Sequence, residues 1–258
     1  MTFQLNRYYK NPIITPIPHH SWESYNTFNP AAIYLEGKVH ILYRAQGNDY
    51  ISEIGYANSE DGFSISERLA EPIYSWKPDI IDYDLPKIEL RTGSGGALAG
   101  CEDPRATVID DKVYLIFVAY DGWSEPRLAM TFITVQDFLE RKWQNWSPAR
   151  HISAPGIIDK SGALFPEKIN GKYVMMHRIF PDILIDYLDN LDFIDRKLEV
   201  KGRIKPRKKG WDSRKIGAGA PPLLINEGWL LVYYGVDDED DSHYDFGVML
   251  LDREDPSK

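Results

Sequence analysis

The chain of 258 residues carries 39 Asp and Glu against 30 Lys and Arg, a formal net charge of −9. That balance argues against a nucleic-acid surface, which needs a basic field, but leaves room for a small basic pocket holding one phosphate ion. With one cysteine, Cys101, no disulfide forms within the chain; Met1 to Lys10 shows no signal peptide, and no apolar stretch approaches the ~20 residues of a membrane span, so a cytoplasmic protein without membrane partners is expected.

Gly and Pro punctuate the chain at short intervals, so helix signals are scarce. β-rich runs recur instead. The first unit runs Ala31–Tyr34, the turn Glu36-Gly37, the apolar run Lys38–Arg44, then Ser52–Ala57. The second runs Ala106–Ile109, Asp110-Asp111, Lys112–Val118, then Arg127–Thr131. The third runs Leu164–Lys168, Asn170-Gly171, then Lys172–Arg178; its Asn-Gly pair is a strong hairpin signal. The fourth runs Pro222–Ile225, Glu227-Gly228, Trp229–Tyr234, then Asp245–Leu250.

Units of several strands repeating every roughly 50–70 residues predict the blades of an all-β propeller, one domain over 1–258, with long insertions. A β-sandwich is the rival, but it does not by itself explain the repeated strand–turn–strand order. Pro78–Gly100 and Gly202–Gly219 are expected as loops over one face, with Arg203–Lys209 a solvated basic run. Most of the aromatic residues, 13% of the chain, read as strand packing, with sugar stacking the sharper alternative for a few.

Three local features could carry chemistry. Gly100-Cys101-Glu102-Asp103-Pro104-Arg105 enters a repeat strand, and alternation along a strand assigns Glu102 and Asp103 to opposite faces. An Asp beside an Arg stays ionised unless substrate raises its pKa or relays its proton. Second, Lys168, His177 and Arg178 could gather into an anion pocket, with ion pairing to Glu167 or nearby acids the competing reading. Third, Asp159-Lys160-Ser161-Gly162 leads into the same unit, and Arg44 and Arg127 are expected at matching blade positions. The scattered His residues give no metal-ligand spacing, and Gly93-Ser94-Gly95-Gly96 is followed by nothing helical, so neither a metal nor a nucleotide site is expected.

Phe28-Asn29-Pro30-Ala31, Leu42-Tyr43-Arg44-Ala45, Ile54-Gly55-Tyr56-Ala57, Glu102-Asp103-Pro104-Arg105, Leu164-Phe165-Pro166-Glu167-Lys168, Met176-His177-Arg178, Gly217–Pro222 and Leu250–Lys258 together resemble glycoside hydrolase family 130, in order along nearly the whole chain. The resemblance implies a five-bladed β-propeller with its site at the central channel. It implies an inverting phosphorolysis of a β-mannoside that yields α-mannose 1-phosphate, with inorganic phosphate as co-substrate and no cofactor. By the same analogy Asp103 falls on the catalytic acid, and Asn29, Arg44, Asp49 and His177 on the sugar side. Arg127, Lys168, Arg178 and Tyr234 are then candidates for phosphate. In such enzymes the acid acts through a sugar hydroxyl, and phosphate replaces the base-activated water of an ordinary inverting glycosidase.

Two departures stand out. Tyr233-Tyr234-Gly235-Val236 has Tyr where relatives of this kind have a His that helps hold phosphate, and Tyr234 offers a neutral hydrogen bond only. The chain also stops at Asp255-Pro256-Ser257-Lys258, where such relatives continue into another blade, so a propeller lacking its last blade is expected. A β-mannosidase using water, or a sugar-binding propeller without catalysis, are the alternatives. Homo-oligomerisation stays open.

Overall fold

The computed structural model describes residues 6–76 and 96–258. The expected loop at Pro78–Gly100 therefore lies outside the described residues up to position 95, as does Gly93-Ser94-Gly95. The described residues are almost all strand and turn. Helix is confined to α1 (Val135–Leu139), capped by the Thr134 hydroxyl, and a single 3₁₀ turn at Trp143–Asn145. No described helix is long and apolar enough to cross a membrane.

Four antiparallel units follow one another. The first contains β1 (Asn26–Leu35), β2 (Lys38–Gln46), β3 (Ile51–Ser59) and β4 (Glu67–Arg68); the second β5 (Ala99–Ile109), β6 (Lys112–Tyr120), β7 (Arg127–Thr134) and β8 (Arg150–His151). The third contains β9 (Lys160–Leu164), β10 (Tyr173–Ile179), β11 (Asp182–Leu188) and β12 (Gly202–Ile204). In the fourth, β13 (Lys215–Ala218) and β14 (Leu223–Ile225) share one edge of β15 (Gly228–Val236), and β16 (Asp245–Leu251) pairs with the other. A short parallel contact, Ile51↔Ala99 and Ser52↔Gly100, joins the first two units.

Strand alternation gives each sheet two apolar faces, and successive sheets bury them against each other. Ala31, Ile33, Leu42 and Ile54 of the first unit meet Ala106, Leu115 and Phe117 of the second. The opposite face of the second, through Ile116, Val118, Leu128 and Met130, meets Leu164, Met175 and Leu188 of the third. The third's remaining face, with Phe165, Val174 and Ile185, meets Ile216, Trp229 and Leu231 of the fourth. The two outermost faces differ. That of the first unit is partly covered by Ile13, Ile14 and Trp22 and keeps an apolar groove of about 330 Å³. That of the fourth presents Leu223, Phe246, Val248 and Leu250 to solvent.

Three sequence expectations shift. The inner strand of the third unit is Lys160–Leu164 rather than Leu164–Lys168, although the turn at Asn170-Gly171 forms as expected, with Ile169 and Lys172 bridging it. That unit also has a third strand, β11, entered through Phe180-Pro181, where the proline hides the continuation of the pattern. Gly202–Gly219 is not one loop, because β12 and β13 occupy its two ends; within it Arg203 pairs with Asp182 and Arg207 with Asp212.

Candidate active site

The site grows from one irregularity repeated in three units. In β1, Asn29 and Pro30 oppose the single residue Tyr43; in β5, Asp103 and Pro104 oppose Phe117; in β9, Ser161 and Gly162 oppose His177. Each is a β-bulge, and its first residue is left-handed, with φ of 44° at Asn29, 49° at Asp103 and 54° at Ser161. Asn and Asp tolerate this region better than other side chains, because a short polar group can bond locally. A bulge re-aims the side chains beside it. The fourth unit opens wider at the same point: Gly219 to Pro222 separate β13 from β14.

The bulges knit the units together. Asn29 Nδ2 donates to Asp103 Oδ1 at 2.6 Å, and Arg44 Nη1 donates to the same oxygen at 2.8 Å. Arg44, 1% exposed, also lies 3.4 Å from the Glu102 carboxylate, donates from Nε to the Ser52 hydroxyl, and stacks over the Phe28 ring. Lys160 reaches Glu102 at 3.7 Å from the third unit. Ser161 and Tyr234 share a hydroxyl–hydroxyl bond of 2.8 Å between the third and fourth units. Tyr234 can lie across β13 only because its neighbour there is Gly217, where a Cβ would fall 2.3 Å from the phenol oxygen.

Glu102 and Asp103 thus meet the same guanidinium, contrary to the opposite faces that simple alternation predicts. The bulge between them and Arg105 breaks the alternation. The two carboxylates nevertheless differ. Glu102 is wholly buried, whereas the Asp103 side chain keeps 27% of its surface open. Burial pushes the Asp103 carboxyl up, but the charges of Arg44 and Arg105 and the Asn29 hydrogen bond outweigh it and hold the group below the usual carboxylate range. Lys160 is pushed down by burial, against the pull of Glu102 and Asp103 and with the Arg178 charge adding to the fall.

Superposing the units by register identifies true equivalents. Arg44 opposite Phe28 corresponds to Val118 opposite Glu102, Arg178 opposite Lys160 and Tyr234 opposite Gly217. Arg178 is therefore brought in beside Lys160. It is 8% exposed, its Nε has no hydrogen-bond partner, and it makes no ion pair among the described residues. Arg127 is not at the matching position: it begins β7 opposite Ala119, and its charge acts on His151. Asp49 stands exposed at the same end of its unit and accepts from the Ile51 N–H, closing its own loop.

Two predicted residues are not brought to the cluster. Lys168 lies at the far end of the units, paired with Asp110 at 3.1 Å and over the Tyr173 ring, because it follows β9 rather than ending within it. His177 faces away from Arg178 by strand alternation and is 1% exposed, its Nδ1 2.8 Å from Asp159 and its Nε2 3.3 Å from the Glu199 carbonyl. In this structure it sits inside the third unit, away from the Asp103 cluster. Lys160 is named in the sequence only within Asp159-Lys160-Ser161-Gly162 and given no site role there, although Lys160-Ser161 stands in its unit where Glu102-Asp103 stands in the second.

A carboxylate partly open to solvent and ringed by buried cations suits both proton transfer and anion binding. The sequence profile of a glycoside hydrolase family described as beta-1,4-mannooligosaccharide phosphorylase matches residues 6–258. The chain belongs to glycoside hydrolase family 130. Among its relatives, a beta-1,2-mannobiose phosphorylase of Thermoanaerobacter sp. (strain X514) is 37% identical, the match covering 99% of this chain and 80% of the relative. A 1,2-beta-oligomannan phosphorylase of the same organism is 35% identical, over 99% of this chain and 79% of the relative. Among solved structures, a glycosyl hydrolase from Bacteroides ovatus aligns with a TM-score of 0.71 at 25% identity, covering 96% of this chain and 76% of that one.

Proposed function

We propose that this chain is an inverting phosphorylase that cleaves a β-mannoside with inorganic phosphate, releasing α-mannose 1-phosphate and a shortened sugar. The observation that carries the reading is one partly open carboxylate, Asp103, 27% exposed, beside the Lys160–Arg178 pair, where the buried Arg178 makes no ion pair among the described residues and its Nε has no hydrogen-bond partner there. Asp103 is the acid. Phosphate sits against Arg178 and Lys160, with the Tyr234 and Ser161 hydroxyls beside it, and the mannose ring lies over Asn29 and Arg44. The names of the two Thermoanaerobacter relatives make β-1,2-mannobiose and longer β-1,2-mannans the first substrates to try.

The chemistry balances without a second protein base. A phosphate oxygen attacks the anomeric carbon as the bond to the bridging oxygen breaks, inverting the centre. Asp103 takes up the proton that hydrogen phosphate carries in and passes it to the bridging oxygen, directly or through a sugar hydroxyl, so that it ends as the carboxylate it began. The resting Asp103 is a carboxylate. An arriving phosphate dianion competes for the cations that hold it down, which raises its proton affinity when the reaction needs an acid.

A hydrolase would instead need a carboxylate to activate water, about 6.5–9.5 Å from the acid. Glu102 is wholly buried and tied to Arg44 and Lys160, and Glu167, the candidate base from sequence, is exposed beyond β9 near Lys168. Both observations favour phosphate over water.

The fold reading is a five-bladed propeller. Its support is the face-to-face packing of four successive sheets and the apolar outer faces of the first and fourth, which a fifth unit between them would cover. The functional test runs the reaction backwards. Incubated with α-mannose 1-phosphate and a panel of sugar acceptors, the protein is expected to release phosphate with at least one mannoside acceptor. Steady release of free mannose from the donor, with no acceptor-dependent phosphate, would remove the reading.

A further inference from the structure

Arg105 lies two residues beyond the acid and is 8% exposed. Its Nη1 donates to the carbonyls of Asp103 at 3.0 Å and Pro104 at 3.1 Å, and its Nη2 reaches the Ala218 carbonyl of the fourth unit at 3.4 Å. Its Nε has no hydrogen-bond partner among the described residues. A bulge takes its extra residue out of the ladder, and buried carbonyls there need another donor. The Asp103 and Pro104 carbonyls both lie in the bulge, and one guanidinium serves both. Asn29 and Ser161 occupy the corresponding bulges, but the residues at the Arg105 position there are Ala31 and Ala163. The unit that bears the acid is thus the one of these three with a built-in clamp.

We propose that Arg105 is a positioning residue for the phosphorolysis: it locks the left-handed bulge that aims the Asp103 carboxylate and ties that bulge to the fourth unit at Ala218. This rests on the proposed function above. It goes beyond it by assigning a role to a residue that makes no contact with the reacting atoms. The same cation lies close enough to help hold the Asp103 carboxyl low, while burial pulls down the pKa of Arg105 itself. Removing the charge therefore loosens the aim and lets the carboxyl rise, whereas a lysine keeps the charge and loses the forked geometry.

The test compares Arg105→Met and Arg105→Lys with wild type, using phosphorolysis rates at varied mannoside, phosphate and pH, and thermal unfolding to count folded protein. Wild-type turnover in the same assay is the control that separates failure of this proposal from failure of the functional reading. Per folded molecule, Arg105→Met is expected to lose on the order of 10²-fold in kcat with both KM values within about threefold, a size set by general-acid contributions. Its kcat/KM profile moves to higher pH. Arg105→Lys is expected to recover part of kcat with the wild-type pH profile. If Arg105→Met does not fold, Arg105→Lys decides alone, with a kcat at least about tenfold down at unchanged KM for phosphate and an unmoved profile. A merely structural residue would lower the folded fraction and leave the kinetics and pH profile of the folded molecules unchanged; that result, or wild-type kcat in Arg105→Lys, would overturn the proposal.

Discussion

β5 carries an aspartate–cation pair at each end. Asp103 meets Arg44 near its start, and Asp110, just past its last residue, meets Lys168. The two acids lie seven positions apart, which a strand spaces by roughly 20 Å. Chemically the pairs are alike; physically they are not. Arg44 is 1% exposed and is shared between Asp103 and the wholly buried Glu102, whereas Lys168 and Asp110 are 39% and 48% exposed. Water screens the outer pair and leaves it little to do, while the inner pair acts in a low-dielectric wall where each charge sets the proton affinity of its neighbours. Burial, more than residue type, separates a site from a surface ornament here.

The sharpest way to break the comparison is to neutralise the inner acid. Asp103→Asn keeps a side chain that tolerates positive φ and is expected to keep the fold while losing on the order of 10²–10⁴-fold in kcat. Circular dichroism with a turnover assay checks both halves. Arg44→Met comes next: it leaves Glu102 buried with one cation fewer and is expected to cost about 3–5 kcal/mol by denaturant unfolding, together with most activity. Arg178→Met should raise the KM for phosphate about tenfold while moving the KM for mannoside far less, the loss of a charged hydrogen bond. Equal changes in both constants would remove it from the anion side.

A subtler effect concerns His151, whose pKa is pushed down to about 4 by burial and by the charges of Arg127 and Lys197. The unfolded chain protonates this ring near pH 6.5 and the folded one only near 4, so the unfolded state binds more protons in between. The ring's contribution to stability is complete above pH 6.5 and is lost as pH falls toward 4. His151→Asn should flatten the slope of stability against pH in that window. The smallest effect belongs to the outer pair: Lys168→Ala should leave kcat, both KM values and the thermal midpoint within error of wild type.

Much of this was legible in the sequence because the four apolar runs and their turns carry their own period. Lys38–Arg44, Lys112–Val118 and Lys172–Arg178 each fall in or along the second strand of a unit, and Trp229–Tyr234 in β15, the central strand of the fourth. What was lost is local backbone geometry. Matching the third unit by its turn put Leu164–Lys168 in the inner strand, which slid Lys168 into the site and Lys160 out of it. Aligning by the residues that bulge, Asn29-Pro30, Asp103-Pro104 and Ser161-Gly162, would have found Lys160 and rejected Arg127. The bulge also defeats alternation, which is why Glu102 and Asp103 share Arg44. Nothing in the sequence pattern marks the reach of Arg105 to Ala218, 113 residues away, because it depends on how the second and fourth units face each other.

Phosphorus NMR of the protein with β-1,2-mannobiose and inorganic phosphate tests the central claim most directly. The account predicts a growing α-mannose 1-phosphate signal matched by falling phosphate, no cleavage when phosphate is left out, and neither change with Asp103→Asn. Free mannose accumulating at the same rate with and without phosphate would contradict it.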